Sequence, residues 1–207
     1  MKEAIILAGG KGLRLRPLTE VIPKSLVMIK DKTLIDYQLD WLNKNGYTRV
    51  VVACGYKHDL LKKSLGNSVL YSVESTPLGT AGAVNKAKKL LQGNDFLVIN
   101  GDIITDLNLK EFEKIHERLS IVVAPLRCPF GVISEEGGEV KFEEKPKLPY
   151  WINAGIYLIN KSVKLPAKGD LERDVFPKEK PKVFKYEGFW KSIDSFKDVV
   201  EAEKELG

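Results

Sequence analysis

The apolar run Ala4–Leu7 passes without interruption into Ala8-Gly9-Gly10-Lys11-Gly12, and few folds accommodate that junction. A short apolar run without alternation fits a strand buried on both faces, which requires a sheet with helices on either side. In an open sheet of that kind ligands bind beyond the carboxyl ends of the strands. Here the strand delivers the chain into three glycines, Gly9, Gly10 and Gly12, that let backbone N–H groups approach an anion closely. Lys11, Arg14, Arg16 and Lys24 add four cations within fourteen residues. The segment reads as a loop for a triphosphate, with Leu7, Ala8, Gly9, Gly10, Lys11, Gly12 and Arg14 as its contacts.

Two common phosphate loops are excluded by inspection. No window carries the Walker A spacing G-x-x-x-x-G-K-[ST], and a dinucleotide fingerprint running from Gly10 through Gly12 would need glycine where Leu15 stands.

The rest of the chain predicts an α/β fold: a Rossmann-like mixed, mostly parallel sheet with helices on both faces. Further strands are expected at Val50–Ala53, Val69–Val73 and Phe96–Ile99. Helices are expected at Leu34–Asn45, Asp59–Leu65 and Ala81–Leu91, each closed by a glycine. Beyond Asp102 the pattern becomes a strand at Ile121–Pro125, a hairpin over Gly131–Glu143 turning at Gly137-Gly138, and a strand at Ile152–Ile159. A short helix at Leu171–Phe176, a strand at Val183–Tyr186 and a closing helix at Phe196–Leu206 follow. One domain over 1–207 is expected, with about 1–105 forming a nucleotide-binding half and about 106–207 the half for a second substrate.

The loop, read as G-G-x-G-x-R-L-x-P-L-T with Pro23-Lys24 after it, resembles the signature of sugar-1-phosphate nucleotidyltransferases, a family that includes mannose-1-phosphate guanylyltransferases and glucose-1-phosphate thymidylyltransferases. One departure is Leu13, where that family usually has Thr or Ser. The resemblance implies an enzyme joining a nucleoside triphosphate to a sugar 1-phosphate and releasing pyrophosphate by direct in-line attack. It implies Mg²⁺ as cofactor. Arg14 would grip the departing pyrophosphate and Lys24 would neutralise charge between the α-phosphate and the sugar phosphate. Asp102, closing the apolar strand in Asn100-Gly101-Asp102, would be the catalytic metal ligand.

The second metal ligand is expected at Asp194. The usual W-x-D-I-G-T motif is replaced by Trp190-Lys191-Ser192-Ile193-Asp194-Ser195, which matches a variant that carries its aspartate two positions later. The turn Glu74-Ser75-Thr76-Pro77-Leu78-Gly79-Thr80 resembles the base-recognition turn, giving Glu74, Gly79 and Thr80 as further nucleotide contacts. Glu74 offers only acceptors, which suits the adjacent N1–H and N2–H donors of guanine, although it could equally end a strand or cap a helix. Gly131, Glu144, Lys145 and Asn153 match the sugar-phosphate stations. GTP with mannose 1-phosphate is the first expectation; thymidylyl, uridylyl or cytidylyl transfer to glucose 1-phosphate, transfer to a non-sugar phosphate, and a non-catalytic regulatory subunit are the alternatives.

Composition narrows the partners. The net charge of +5 comes from basic residues interspersed with acidic ones, so small phosphorylated substrates account for it and nucleic acid is not expected. No membrane association is expected, since the longest apolar stretches are far short of a bilayer span; a cytoplasmic location is the corresponding expectation. Cys54 and Cys128 form no metal-binding spacing. Heavy use of Lys and Glu points toward a thermophile. Homo-oligomerisation is left open, and control through an appended regulatory domain is not expected.

Overall fold

The computed structural model describes residues 1–206. The first half contains β1 (Lys2–Ala8), α1 (Leu18–Val21), a small hairpin of β2 (Met28–Ile29) and β3 (Lys32–Thr33), and then α2 (Leu34–Lys44), β4 (Tyr47–Cys54), α3 (His58–Leu65), β5 (Leu70–Val73), α4 (Gly79–Ala87) and β6 (Asp95–Asn100). The second half contains β7 (Ile103–Thr105), α5 (Leu109–Lys114), β8 (Leu119–Arg127), β9 (Val132–Glu136), β10 (Glu139–Glu143), β11 (Lys147–Asn160), α6 (Phe176–Glu179), β12 (Lys182–Lys185), β13 (Trp190–Ser192) and α7 (Phe196–Glu205).

Seven strands form one sheet in the order β12-β8-β11-β6-β1-β4-β5. Only β11 runs against its neighbours, β6 and β8, so the sheet is mixed and mostly parallel, as the sequence predicts. Both faces of β1 are buried. Ala4, Ile6 and Ala8 pack with Ile35 and Leu42 of α2, Leu61 of α3 and Phe112 of α5. Ile5 faces the other way, against Ala81, Val84 and Ala87 of α4. Complete burial of side chains such as Ile5 and Ile6 contributes about 1.5–3 kcal/mol each, which explains why an unbroken apolar run is needed here.

A third, smaller cluster joins Ile29 and Leu34 to Ile104, Ile193 and Ala202, fixing β13 and α7 against the amino-terminal hairpin. Helix starts follow local chemistry. Thr33 and Asp36 form a reciprocal cap on α2, and Ser195 and Asp198 do the same for α7. Gly46 follows α2 and Gly66 caps α3, both at positive φ.

Several boundaries differ from expectation for identifiable reasons. The helix expected at Ala81–Leu91 begins at Gly79, because Gly169 O accepts from Ala81 N and Gly82 N and supplies the missing cap; it loosens into a 3₁₀ turn over Lys88–Leu90. The helix expected at Leu171–Phe176 is a π turn, Leu171–Val175, leading into α6. The hairpin β9–β10 is a separate two-stranded ribbon rather than part of the main sheet, and every residue of β10 is exposed. The pair β7–β13 was not expected, since three-residue strands carry no readable periodicity. Among the described residues no helix is long and apolar enough to cross a membrane.

Candidate active site

The order of β4, β1 and β6 creates a crevice, because the chain leaves β1 toward β4 on one side and returns to β6 on the other. Gly101 closes it: its N–H donates to Leu7 O at 2.9 Å. Beneath this turn the Gln38 amide donates to Asn100 O at 2.8 Å and to Ile103 O at 2.9 Å, which fixes the backbone on either side of Asp102.

The glycine loop forms the roof. Gly12 has a φ of +60°, and a Cβ there would lie 2.9 Å from the Thr19 methyl and 3.1 Å from Lys24 Cβ. Thr19, itself buried, donates to Gly12 O at 2.8 Å, while Tyr56 donates to Thr19 O at 2.9 Å. Thr19 and Tyr56 therefore set the loop's shape, and only the threonine is part of the recognisable motif.

Lys24 reaches into the crevice from a 3₁₀ turn, with its Nζ 2.9 Å from Asp102 Oδ2 and 2.7 Å from Asp194 Oδ1. Arg14 Nη2 lies 2.8 Å from the same Asp194 oxygen. Asp194 comes to this place through β7–β13: Ser192 pairs with Ile103, and Ile193 N donates to Asp102 O at 2.8 Å. The Ser192 hydroxyl donates to the other Asp194 oxygen at 3.1 Å, so at the departure from the usual motif the serine orients the carboxylate two residues on. Burial opposes the Asp194 charge, but hydrogen bonding and attraction from Lys24, with help from Ser192 and Arg14, outweigh it and hold this carboxyl below the usual aspartate range.

These groups line a cleft of about 430 Å³ that also takes in Leu7, Ala8, Gly10 and Gly12. Two carboxylates converging on one cation suit a hard divalent ion held by one or two carboxylates plus substrate oxygens and water. Among the described residues no group of three or more His, Cys, Asp or Glu side chains is placed to hold a metal, and the carboxylates that this cleft offers an ion are Asp102 and Asp194.

A second cleft of about 370 Å³ adjoins the first and shares Leu7, Gly10 and Asp102 with it. Gly9, Glu74, Gly79 and Thr80 line it. Glu74 Oε2 accepts from Leu78 N at 3.2 Å, which ties down the turn, while Oε1 lies toward Gly9. Burial pushes the Glu74 carboxyl above the usual glutamate range. Gly79 has a φ of +74°, and a Cβ there would lie 2.3 Å from Gly169 O. Thr80 accepts from Leu171 N at 2.8 Å and donates to Glu172 at 3.2 Å, so its hydroxyl joins the turn to the Asp170–Glu172 segment.

A short helix was expected over Leu171–Phe176, but the part of Asp170 and Glu172 in the site was missed in the sequence. Asp170 lines the second cleft, and Glu172 accepts from Thr80, from Asn153 Nδ2 at 3.3 Å and from Tyr157 at 3.2 Å. No spacing signals it; it reaches the site because Gly169 O caps α4. Asn153 lies in an irregular stretch of β11, where its Oδ1 accepts from Gly155 N at 3.0 Å and its amide donates to Tyr157 at 2.8 Å. Gly155 is needed there, since a Cβ would lie 2.7 Å from the Asn100 amide.

The remaining expected residues lie elsewhere. Gly131, Glu144 and Lys145 sit at the base of the exposed ribbon; Gly131 and Glu144 are neighbours, and Lys145 is 3.9 Å from Glu144, both side chains being more than half exposed. They line neither cleft. Lys11 is exposed beside the loop.

Comparison with known proteins places the chain in a family. A family model described as nucleotidyl transferase matches residues 3–187. A mannose-1-phosphate guanylyltransferase catalytic subunit beta from Dictyostelium discoideum is 37% identical over 95% of this chain, and a mannose-1-phosphate guanyltransferase 2 from Candida glabrata is 35% identical over 95%. The chain spans 62% of the length of each. The solved structure of HddC from Yersinia pseudotuberculosis, complexed with GMP-PN, superposes with a TM-score of 0.81 at 29% identity and covers 100% of both chains. With residues 3–187 matched by that model, the chain belongs to the nucleotidyl transferase family.

Proposed function

We propose that the protein is a sugar-1-phosphate nucleotidyltransferase that converts GTP and mannose 1-phosphate to GDP-mannose and pyrophosphate. The observation that carries this reading is the bridge from Lys24 to Asp102 and Asp194 beneath the glycine loop. An oxygen of the sugar phosphate attacks the α-phosphorus, the bond to the bridging oxygen of the β-phosphate breaks, and pyrophosphate leaves with that electron pair. Lys24 faces the position where two anions must meet, and Arg14 at the cleft mouth suits the leaving pyrophosphate. Asp102 and Asp194 would hold Mg²⁺, which supplies charge neutralisation and orientation of the phosphates. No side-chain nucleophile is required. The cytoplasm, where soluble phosphorylated substrates are found, is the setting this reading assumes.

The division of labour within one domain follows the two clefts. The turn from Glu74 to Thr80 suits the base and the region of Asn153 and Glu172 the sugar hydroxyls, with Gly131, Glu144 and Lys145 approaching from the ribbon. Guanine is favoured because a carboxylate accepts from both N1–H and N2–H. The mannose-1-phosphate guanylyltransferases among its relatives and the GMP-PN in the HddC structure support the same base. A second reading keeps GTP and changes the sugar: Glu74 bears on the base alone, while the polar groups of Asn153 and Glu172 suit the hydroxyls of more than one hexose. Pyrophosphate release measured over a panel of triphosphates and phosphorylated acceptors decides between them. Fastest turnover with GTP and mannose 1-phosphate is expected, and absence of turnover with every sugar 1-phosphate refutes the enzyme.

Glu74 provides the base test. Glu74→Gln should lower kcat/KM for GTP by about ten- to a hundredfold, the cost of weakening hydrogen bonds to a charged acceptor, while KM for the sugar phosphate stays unchanged. Because burial raises the Glu74 carboxyl, it takes up a proton at a higher pH than an ordinary glutamate. Protonation removes one of its acceptors, so KM for GTP should rise as pH falls through that raised value. The glutamine variant should lack this step; an identical KM–pH profile in both proteins refutes the role.

A further inference from the structure

We infer that Lys24 has a second function in the free protein: its ammonium occupies the place of the divalent cation, so that metal and nucleotide bind together rather than separately. The inference rests on the proposed metal-assisted nucleotidyl transfer and adds the order in which that site assembles.

The geometry carries it. Lys24 Nζ lies 2.9 Å from Asp102 Oδ2 and 2.7 Å from Asp194 Oδ1, the two oxygens best placed to ligate an ion. Its side chain is only 15% exposed, against 73% for Arg14, which touches Asp194 alone from the rim. The two carboxylates are held in this convergence by groups outside the cleft. Ile193 N donates to Asp102 O, Ser192 donates to Asp194 Oδ2, and Asp194 N donates to Asp198, the capping residue of α7. Asp102 and Asp194 are thus fixed from behind and present one oxygen each to a single central position. A lysine ammonium is a compact point charge on a flexible stem, able both to fill that position and to leave it.

Lysine and metal cannot hold the same two oxygens at once. A divalent ion entering the free protein must expel an ammonium that has two charged hydrogen bonds and, among the described residues, no other acceptor. That exchange weakens metal binding to the protein alone. A triphosphate seated under the glycine loop changes the balance, because its phosphate oxygens accept from Lys24 and also ligate the ion. The ammonium then moves from carboxylates to phosphate as the metal takes its place. By linkage, nucleotide and metal tighten each other's binding equally. Without metal, Lys24 also prevents Asp102 and Asp194 from facing each other as unneutralised charges.

The test is titration of the protein with Mn²⁺, in place of Mg²⁺, followed by electron paramagnetic resonance of the free ion, with and without a non-hydrolysable GTP analogue. Wild-type protein should bind Mn²⁺ weakly alone and much more tightly with the analogue. Lys24→Met should bind Mn²⁺ alone at least about tenfold more tightly than wild type, the equivalent of one charged hydrogen bond no longer displaced. Arg14→Met is the control. It removes the same unit charge from Asp194 but leaves Lys24 in place, so it should change metal affinity about threefold or less. Circular dichroism establishes that each variant is folded. Equal or weaker Mn²⁺ binding by Lys24→Met overturns the inference, as does equal tightening by both variants, which would reduce the effect to general charge. Failure of Mn²⁺ to bind any form with the analogue present refutes instead the metal-assisted reading on which the inference stands.

Discussion

Replacing Asp102 by asparagine is expected to lower kcat by about a thousandfold, roughly 4 kcal/mol of barrier, while leaving the protein folded. Asparagine has nearly the same shape, so the turn between β6 and β7 should survive. That turn is held by backbone groups: Gly101 N donates to Leu7 O, and Ile193 N donates to Asp102 O. What changes is the charge. The amide is neutral and carries an N–H₂ where Lys24 now meets Oδ2 at 2.9 Å, and it is a poor ligand for a hard divalent ion. Lys24 and Arg14 would both remain attached to Asp194, which keeps the variant's fold stability within about 1 kcal/mol of wild type for an ion pair that is partly exposed. Pyrophosphate release at saturating substrates, together with a thermal melt, separates the two effects. Loss of less than about tenfold in kcat from a protein that melts like wild type would remove Asp102 from the reaction.

The contrast between Asp102 and its partner shows what a sequence discloses and what it hides. Asp102 was legible because it ends an apolar strand, and a strand end is a local feature. The glycine loop was legible for the same reason, since its glycines and cations are adjacent in the chain. Asp194 was legible only through family likeness. Its meeting with Lys24 spans 170 positions and depends on β7 and β13, strands too short to show any period. Glu172 left no trace at all, because its bonds to Thr80, Asn153 and Tyr157 require Gly169 to cap a helix from another part of the chain. The seven-stranded sheet was readable from apolar runs and glycine stops, whereas the ribbon β9–β10 was read as a hairpin without any sign that it stands apart.

The second large effect is structural and arises at Gly101. Gly101→Ala should destabilise the protein by about 3 kcal/mol, at the upper end for an added methyl in close-packed surroundings. The new Cβ would lie 2.4 Å from Leu7 O, 3.1 Å from Leu7 C and 3.3 Å from Ala8 Cα. All three are backbone atoms at the end of β1, a strand bonded on both sides to β4 and β6, so no side chain can turn away to relieve the clash. Relief requires the ends of β1 and β6 to separate, which breaks the bond from Gly101 N to Leu7 O and widens the crevice between the glycine loop and Asp102. For a chain of this length the loss should appear as a fall in Tm of roughly 6–12 °C. Activity should fall further than stability alone requires, because at temperatures where the variant is still folded Asp102 would stand away from the nucleotide phosphates. Gly10→Ala is the matched control: no atom lies within 4 Å of a Cβ built there, so its Tm should stay within about 2 °C of wild type. Equal melting temperatures for Gly101→Ala and wild type would mean that the contact between β1 and β6 is looser than the strand pairing requires, and the crevice would then lose its fixed floor.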